Sequence, residues 1–394
     1  MSVAERTGMR KRKKKNNKSE YYFDYSLLII LLFLLGFGML MIYSASSYTA
    51  YLEYEGDSAH YLKKQLIASI LGLVAMTVVA NIPYHFWEKF AVLAYVVSIG
   101  VIPVVLTPLG ISSHGARRWF RIPGIPFQVQ PAEIVKLCMI LFLACLVCKL
   151  GRKAGTFKGF LLMFIAPLPQ ALMIWKITSN LSSAIIVMGI SILMIFVADP
   201  HYKKYIAMGT AVLTAAVALV YFIINTDASG GGFRIKRIAI WLHPETDPEG
   251  TGFQTLQALY AIGSGGIWGK GLGQSMQKLN FLPEAQNDMI FSIICEELGL
   301  FGAVAVILMF ILLLWRMMII ANNAPDLFGA MLVVGVIGHI AIQVILNIAV
   351  VTNSIPNTGI SLPFISYGGS SVLFLLIEMG LVLSVARRIQ LKEV

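Results

Sequence analysis

The stretch LPEAQNDMIFSIICEELGLFGAVAVILMFILLLW, residues 282–315, decides how the chain is read. It opens on a polar heptapeptide, Leu282 to Asp288, and passes without a spacer into an apolar run from Met289 to Trp315. A helix needs about 20 predominantly apolar residues to cross a hydrocarbon layer ~30 Å thick, and this run is long enough. Its charges are the adjacent Glu296 and Glu297. Neighbouring carboxylates cannot both stay charged and unpaired in a low-dielectric interior. Cationic partners or a shared proton are therefore expected.

Working outward, runs of the same kind fall at about 24–46, 62–81, 88–107, 132–149, 159–176, 181–198, 205–224, 326–352 and 370–387, which with 289–315 makes ten. The fifth and sixth are the weakest, because Pro167, Pro169 and Lys176 interrupt them. Of the 394 residues 57% are hydrophobic and 13% charged, against about 25% charged in soluble domains. The expected fold is all-α: a polytopic membrane protein of about ten transmembrane helices over 23–388, with a large extracytoplasmic loop at 225–287 between helices seven and eight. A basic tail, 1–22, precedes it and a short C-terminus, 389–394, follows.

The tail block Arg10-Lys-Arg-Lys-Lys-Lys15 reads as cytoplasmic and orientation-setting, near anionic lipid; nucleic acid is not an expected partner of the net charge of +11. A signal peptide does not fit, since Leu27 to Tyr43 is too long an apolar run. Ten spans return the C-terminus to the cytoplasm, in agreement with Arg387, Arg388 and Lys392. Lys149, Arg152, Lys153, Lys158, His201-Tyr-Lys-Lys204 and Arg316 also fall inside.

The exceptions fall outside. Arg117, Arg118 and Arg121 lie between helices three and four, and Arg234, Lys236, Arg237, Lys270 and Lys278 between helices seven and eight. Cations on the unfavoured side suit a bound anion. They equally suit pairing with Glu245, Asp247, Glu249 and Glu284 of the same loop. The arginines of the earlier loop, set among Trp119, Phe120 and Phe127, suit a phosphorylated lipid or an interfacial anchor with snorkelling arginines.

Within the spans, Glu133 and Lys136 share a helix face and read either as a structural ion pair or as the floor of a substrate cleft. Glu378 in helix ten raises the same question. Segment 353–371, rich in Pro, Gly and Ser, reads as a tight or re-entrant loop at a cavity. The glycine cluster Gly263 to Gly273 lacks both the phosphate-loop pattern and a dinucleotide fingerprint. Its glycines suit tight turns and close approach of backbone amides to a phosphate. Cys145-Leu-Val-Cys148 lies mid-helix without a second ligand pair, so small core residues are expected rather than a metal site. Asn287 or Asp288 reads as an N-cap of helix eight, or Asp288 as a catalytic base that stays ionised at neutral pH.

Several segments in order resemble the SEDS proteins, the FtsW/RodA/SpoVE family of peptidoglycan glycan-strand polymerases, from helix one to helix ten. They are Gly115-Ala-Arg-Arg-Trp119, Gln130-Pro-Ala-Glu-Ile-Val-Lys136, Asp247-Pro-Glu-Gly-Thr-Gly-Phe-Gln254, Gly263 to Gly273, Leu282 to Asp288 and Pro363-Phe-Ile-Ser-Tyr-Gly-Gly-Ser370. The wording around His243 and Leu259 to Gly266 looks closer to the division and sporulation branch. The resemblance implies an inverting enzyme of the bacterial plasma membrane, its active site extracytoplasmic. It would join lipid II disaccharide units by β-1,4 bonds and release undecaprenyl diphosphate in division or sporulation septum synthesis.

Asp288 matches the family's essential aspartate. The implied substrate-binding set is Arg117, Arg118, Glu133, Lys136, Lys270, Lys278, Glu284, Ser366, Gly368 and Gly369. A divalent ion, magnesium or manganese, is left open, since no metal cage is visible in the sequence. Implied partners are a class B penicillin-binding protein transpeptidase and other division proteins. A lipid II flippase and a non-catalytic division scaffold are the alternatives. Two departures stand out: Asn180 replaces an aspartate of the family pattern in Thr178-Ser-Asn-Leu-Ser-Ser-Ala184, and Asn287-Asp-Met-Ile-Phe291 replaces Thr-Asp-Phe-Ile-Phe.

Overall fold

The computed structural model describes residues 24–113, 116–124, 127–199, 201, 203–207, 209–211, 214, 218, 240–247, 250 and 252–389. The basic tail, most of the seventh predicted helix, Arg234, Lys236, Arg237 and Glu249 lie outside the described residues.

The described residues include the helices α1 (Tyr25–Glu53), α2 (His60–Asn81), α3 (Tyr84–Lys89), α4 (Ala91–Val101), α5 (Pro131–Leu150), α6 (Phe157–Ile165), α7 (Leu168–Ile177), α8 (Leu181–Ala198), α9 (Phe253–Gly265), α10 (Ile290–Asn322), α11 (Leu327–Val351) and α12 (Gly369–Ala386). Among the described residues, eight helical segments are long and apolar enough to cross a membrane. The protein is a multi-pass helical membrane protein. The third predicted span is a shorter apolar helix, Ala91–Leu106. Pro103 lacks an N–H to give, and the chain tightens there into a 3-10 turn over Ile102–Leu106. The fifth span breaks into α6 and α7 at Pro167. The loop between α4 and α5 departs from the helical expectation by forming an antiparallel hairpin of β1 (Gly110–Ser113) and β2 (Ala116–Phe120).

Helix starts follow local chemistry. Asp24 caps α1 by accepting from Leu27 N–H at 2.9 Å, and Asp326 caps α11 through Gly329 N–H at 2.8 Å. Asn180 caps α8 through Ser183 N–H at 3.0 Å. A cap needs an acceptor oxygen rather than a charge, so asparagine serves there as aspartate would.

Helix α11 forms the centre of the bundle, packing against α5, α8, α10 and α12, while α12 lies along α2. The apolar core is continuous through these helices, and α11 and α12 have the most buried spans. Helix α10 is interrupted at Gly299, whose φ of 67° suits glycine. The glycine loop after α9 fills the break: Lys270 and Gly271 N–H donate to the Glu296 and Glu297 carbonyls at 2.9 Å, and Leu300 and Phe301 N–H donate to Gly266 and Ile267. Backbone groups freed within a membrane span are thus satisfied by protein.

Candidate active site

Asp288 is not a helix cap. Helix α10 begins at Ile290, and its N-cap residue, Met289, makes no side-chain cap bond. The Asn287 side chain turns back to Glu284. Oδ1 of Asp288 is buried without a hydrogen-bond partner. Burial and the neighbouring Glu284 carboxylate push the Asp288 carboxyl up to about 7. The sequence-based expectation of a fully ionised carboxylate is therefore corrected: desolvation disfavours the charge. At neutral pH the group is divided between acid and base, the range best suited to proton transfer.

Asp288 lines a cavity of ≈ 340 Å³ with Arg118, Trp241, Gln254, Asn353, Asn357, Thr358 and Gly359 among its walls. Arg118 reaches it from strand β2, with Nη2 3.5 Å from the Ser179 carbonyl. Arg117, the preceding residue on that strand, is exposed and absent from the cavity wall. The pairing shifts register here, Ile111 facing Trp119 and Ser112 facing Arg117, so Arg118 is the extra residue of a bulge. Gly359 has a φ of 66°, and a Cβ there would stand 3.7 Å from Asp288 Oδ2. The loop backbone can therefore approach the carboxylate closely.

Beneath the cavity runs a polar seam on α11. Asn347 Nδ2 donates to the Asp288 carbonyl at 2.8 Å and to the Ile360 carbonyl at 2.7 Å. One turn along, Gln343 Nε2 donates to the Ser361 carbonyl at 3.0 Å, and its Oε1 lies 3.5 Å from Lys136 Nζ. Lys136 pairs with Glu133 at 2.8 Å, both buried. A further turn on, His339 Nδ1 lies 2.8 Å from Glu378 Oε2. Residues 339, 343 and 347 repeat at helical spacing within an apolar run, a pattern visible in the sequence and overlooked there. Glu133 and Lys136 do not reach the cavity wall; they connect to it through Gln343 and the 357–361 loop.

The remaining expected ligands lie elsewhere. Lys270 pairs with Glu296 at 2.7 Å and Lys278 with Glu297 at 2.8 Å. Ser44 donates to Glu297 at 2.7 Å and accepts from Lys278 at 3.0 Å. These lysines therefore answer the need of the two buried carboxylates for cations; their partners are on α10, not the loop carboxylates considered above. Ser366 is buried, and its hydroxyl accepts from Leu362 N–H at 2.7 Å. Gly368 N–H donates to Gln65 at 3.1 Å, and Gly369 lies against Phe127. These three shape the loop ahead of α12 and do not line the cavity. Glu284 is exposed and acts on Asp288 through its charge. Among the described residues, no three His, Cys, Asp or Glu side chains gather as a metal-ligand set, and no step is assigned to a metal.

A helical bundle of membrane-spanning length with a carboxylic acid and an arginine on one cavity defines the class: an integral membrane protein with an acid–cation site. Residues 25–391 match the model of the FtsW/RodA/SpoVE family, described as cell cycle protein. The chain belongs to that family. Stage V sporulation protein E of Bacillus subtilis is 40% identical over 357 residues, 90% of this chain and 94% of that protein. The probable peptidoglycan glycosyltransferase FtsW of Trichlorobacter lovleyi is 37% identical over 359 residues, 91% of each chain. Among solved structures, a chain from a study of structural coordination of polymerization and crosslinking by a peptidoglycan synthase complex superposes with a TM-score of 0.73 at 27% identity. It covers 93% of this chain and 98% of that one. The Thermus thermophilus rod shape determining protein RodA, as a variant, gives 0.67 at 25% identity, covering 94% and 99%.

Proposed function

We propose that the chain is a peptidoglycan glycosyltransferase that joins lipid II-linked disaccharide units, with Asp288 as its base. Asp288 takes the proton from the acceptor sugar hydroxyl. The freed oxygen attacks the donor's anomeric carbon, inverts it to a β-1,4 bond and expels undecaprenyl diphosphate. Arg118, on the same cavity, stabilises negative charge as it develops. The observation that carries this reading is the Asp288 carboxyl, its Oδ1 buried without a hydrogen-bond partner, pushed up to about 7 and facing the same cavity as an arginine.

The ion pair of Arg316 with Asp24 puts the far end of α10 beside the start of α1, and the basic residues on that side support cytoplasmic termini, with Asp288, at the opposite end of α10, on the extracytoplasmic side. Similarity to a chain of a peptidoglycan synthase complex supports a class B penicillin-binding protein as partner, in septum synthesis during division or sporulation.

Purified protein incubated with lipid II in detergent tests the reaction: glycan chains on a gel are the expected product. Headgroup crossing in vesicles without polymer would instead establish a flippase. Neither activity, with intact partner binding, would leave a scaffold.

A further inference from the structure

Apart from Arg118 and Asp288, the described polar side chains on the cavity wall are neutral, and several hold one another in place. Asn357 Nδ2 donates to Gln254 Oε1 at 2.8 Å, and Asn357 Oδ1 accepts from Gly359 N–H at 3.0 Å. Gln254 Nε2 donates to the Pro283 carbonyl at 3.1 Å. Trp241 Nε1 donates to the Asn353 carbonyl at 2.9 Å, and Asn353 returns a bond to the Trp241 carbonyl at 3.2 Å. A primary amide has two N–H donors and two lone pairs. Asn357 and Gln254 therefore each keep a donor and an acceptor to spare, in orientations their neighbours fix. Thr358 Oγ1, on the same wall, is buried without a hydrogen-bond partner.

Which ligand such a wall suits follows from its charge and its mixed polarity. A phosphate offers acceptors only, so the amide oxygens would oppose it. A diphosphate would also face the Asp288 carboxyl, with Arg118 as the cation among the described residues of the wall. Lys270 and Lys278 are bound to buried glutamates and absent from this wall. A neutral ring bearing hydroxyls needs donors and acceptors together. A volume of ≈ 340 Å³ is near the lower end of small-molecule pockets, about 300–1,000 Å³, which suits one sugar ring better than a disaccharide with its peptide.

Resting on the glycosyltransferase reading, we propose that Gln254, Asn357 and Thr358 form the subsite for the acceptor sugar, presenting its hydroxyl to Asp288, and that the donor diphosphate lies outside this subsite. The three side chains are binding residues that set acceptor affinity.

Saturation-transfer NMR on the purified full chain, with N-acetylglucosamine as probe and pyrophosphate as competitor, tests this beside lipid II polymerisation kinetics. Thr358→Val is the cleanest variant, because the hydroxyl it removes makes no bond within the protein; Gln254→Ala and Asn357→Ala accompany it. Each substitution is expected to weaken transfer to the sugar and raise the acceptor KM about two- to tenfold, the worth of one hydrogen bond, with kcat retained. Pyrophosphate should not displace the sugar. Displacement by pyrophosphate, or an unchanged acceptor KM in all three variants, overturns the assignment. Wild type that polymerises while the variants keep its KM removes the subsite and leaves the enzyme reading standing. Wild type that binds the sugar, loses it in the variants and makes no polymer does the reverse.

Discussion

Asn347 holds the Asp288 carbonyl at 2.8 Å and the Ile360 carbonyl at 2.7 Å through a single amide nitrogen. It sits fully buried on α11, the helix around which the bundle packs. One side chain thus fixes the segment carrying the proposed base against the loop forming the opposite cavity wall. Misplacing a catalytic group by about 1 Å can cost on the order of 10²-fold in rate. Asn347→Ala is expected to lower kcat by roughly that factor while the acceptor KM changes little. Initial rates of glycan synthesis against lipid II concentration check the split; a rise in KM alone would assign Asn347 to substrate binding.

The pH profile should report Asp288. A base must be deprotonated to act, and burial with the Glu284 charge pushes this carboxyl up to about 7. The rate is expected to rise with pH through about 7 and level off above it. Removing the neighbouring charge in Glu284→Gln should move that limb to lower pH. Polymerisation rates from pH 5 to 9 in both proteins decide it, and an unmoved limb would count against the coupling.

Protonation of Asp288 also links pH to stability. Its folded pKa lies above the ordinary 3.8, so the stability it contributes is full below about 4 and is lost as pH rises through about 7. Asp288→Asn, which cannot ionise, should gain thermal stability relative to wild type across that window and hold the gain above it. Melting temperatures in detergent at pH 4, 6 and 8 measure the difference. A constant offset at all three would mean that the carboxyl is not destabilised by its surroundings.

Lys278 and Glu297 make a different kind of prediction. Both are buried, 2.8 Å apart, beside the break in α10. Removing one partner from a buried pair leaves an uncompensated charge, at a cost of about 3–5 kcal/mol. Lys278→Met should therefore destabilise the protein strongly, and the double variant Lys278→Met with Glu297→Met should recover much of the loss. Denaturation of the two variants tests this. Equal destabilisation in both would show that the pair's attraction is not what the lysine supplies.

The spans were legible because lipid leaves so few solutions: apolar length alone marks a crossing helix. Prolines marked the breaks at 103 and 167 only in part, since Pro103 shortened a span that hydropathy had drawn at full length. Arg118 and Asp288 were legible as site candidates from residue type, and the structure brings them to one cavity. Lys270 and Lys278 were misplaced because charge on a loop says nothing about partners across the fold; Glu296 and Glu297 already required them. Trp241, Gln254 and Asn357 were missed as a group. Neutral amides gain meaning only when folding sets them face to face, and no spacing in the chain announces that.

The base assignment is tested most directly by polymerisation of lipid II with purified wild type and Asp288→Asn under the same conditions, with binding to the proposed transpeptidase partner measured in parallel. Loss of glycan chains in the variant, with partner binding and fold intact, is the predicted result. Chains made at the wild-type rate by Asp288→Asn would contradict the account.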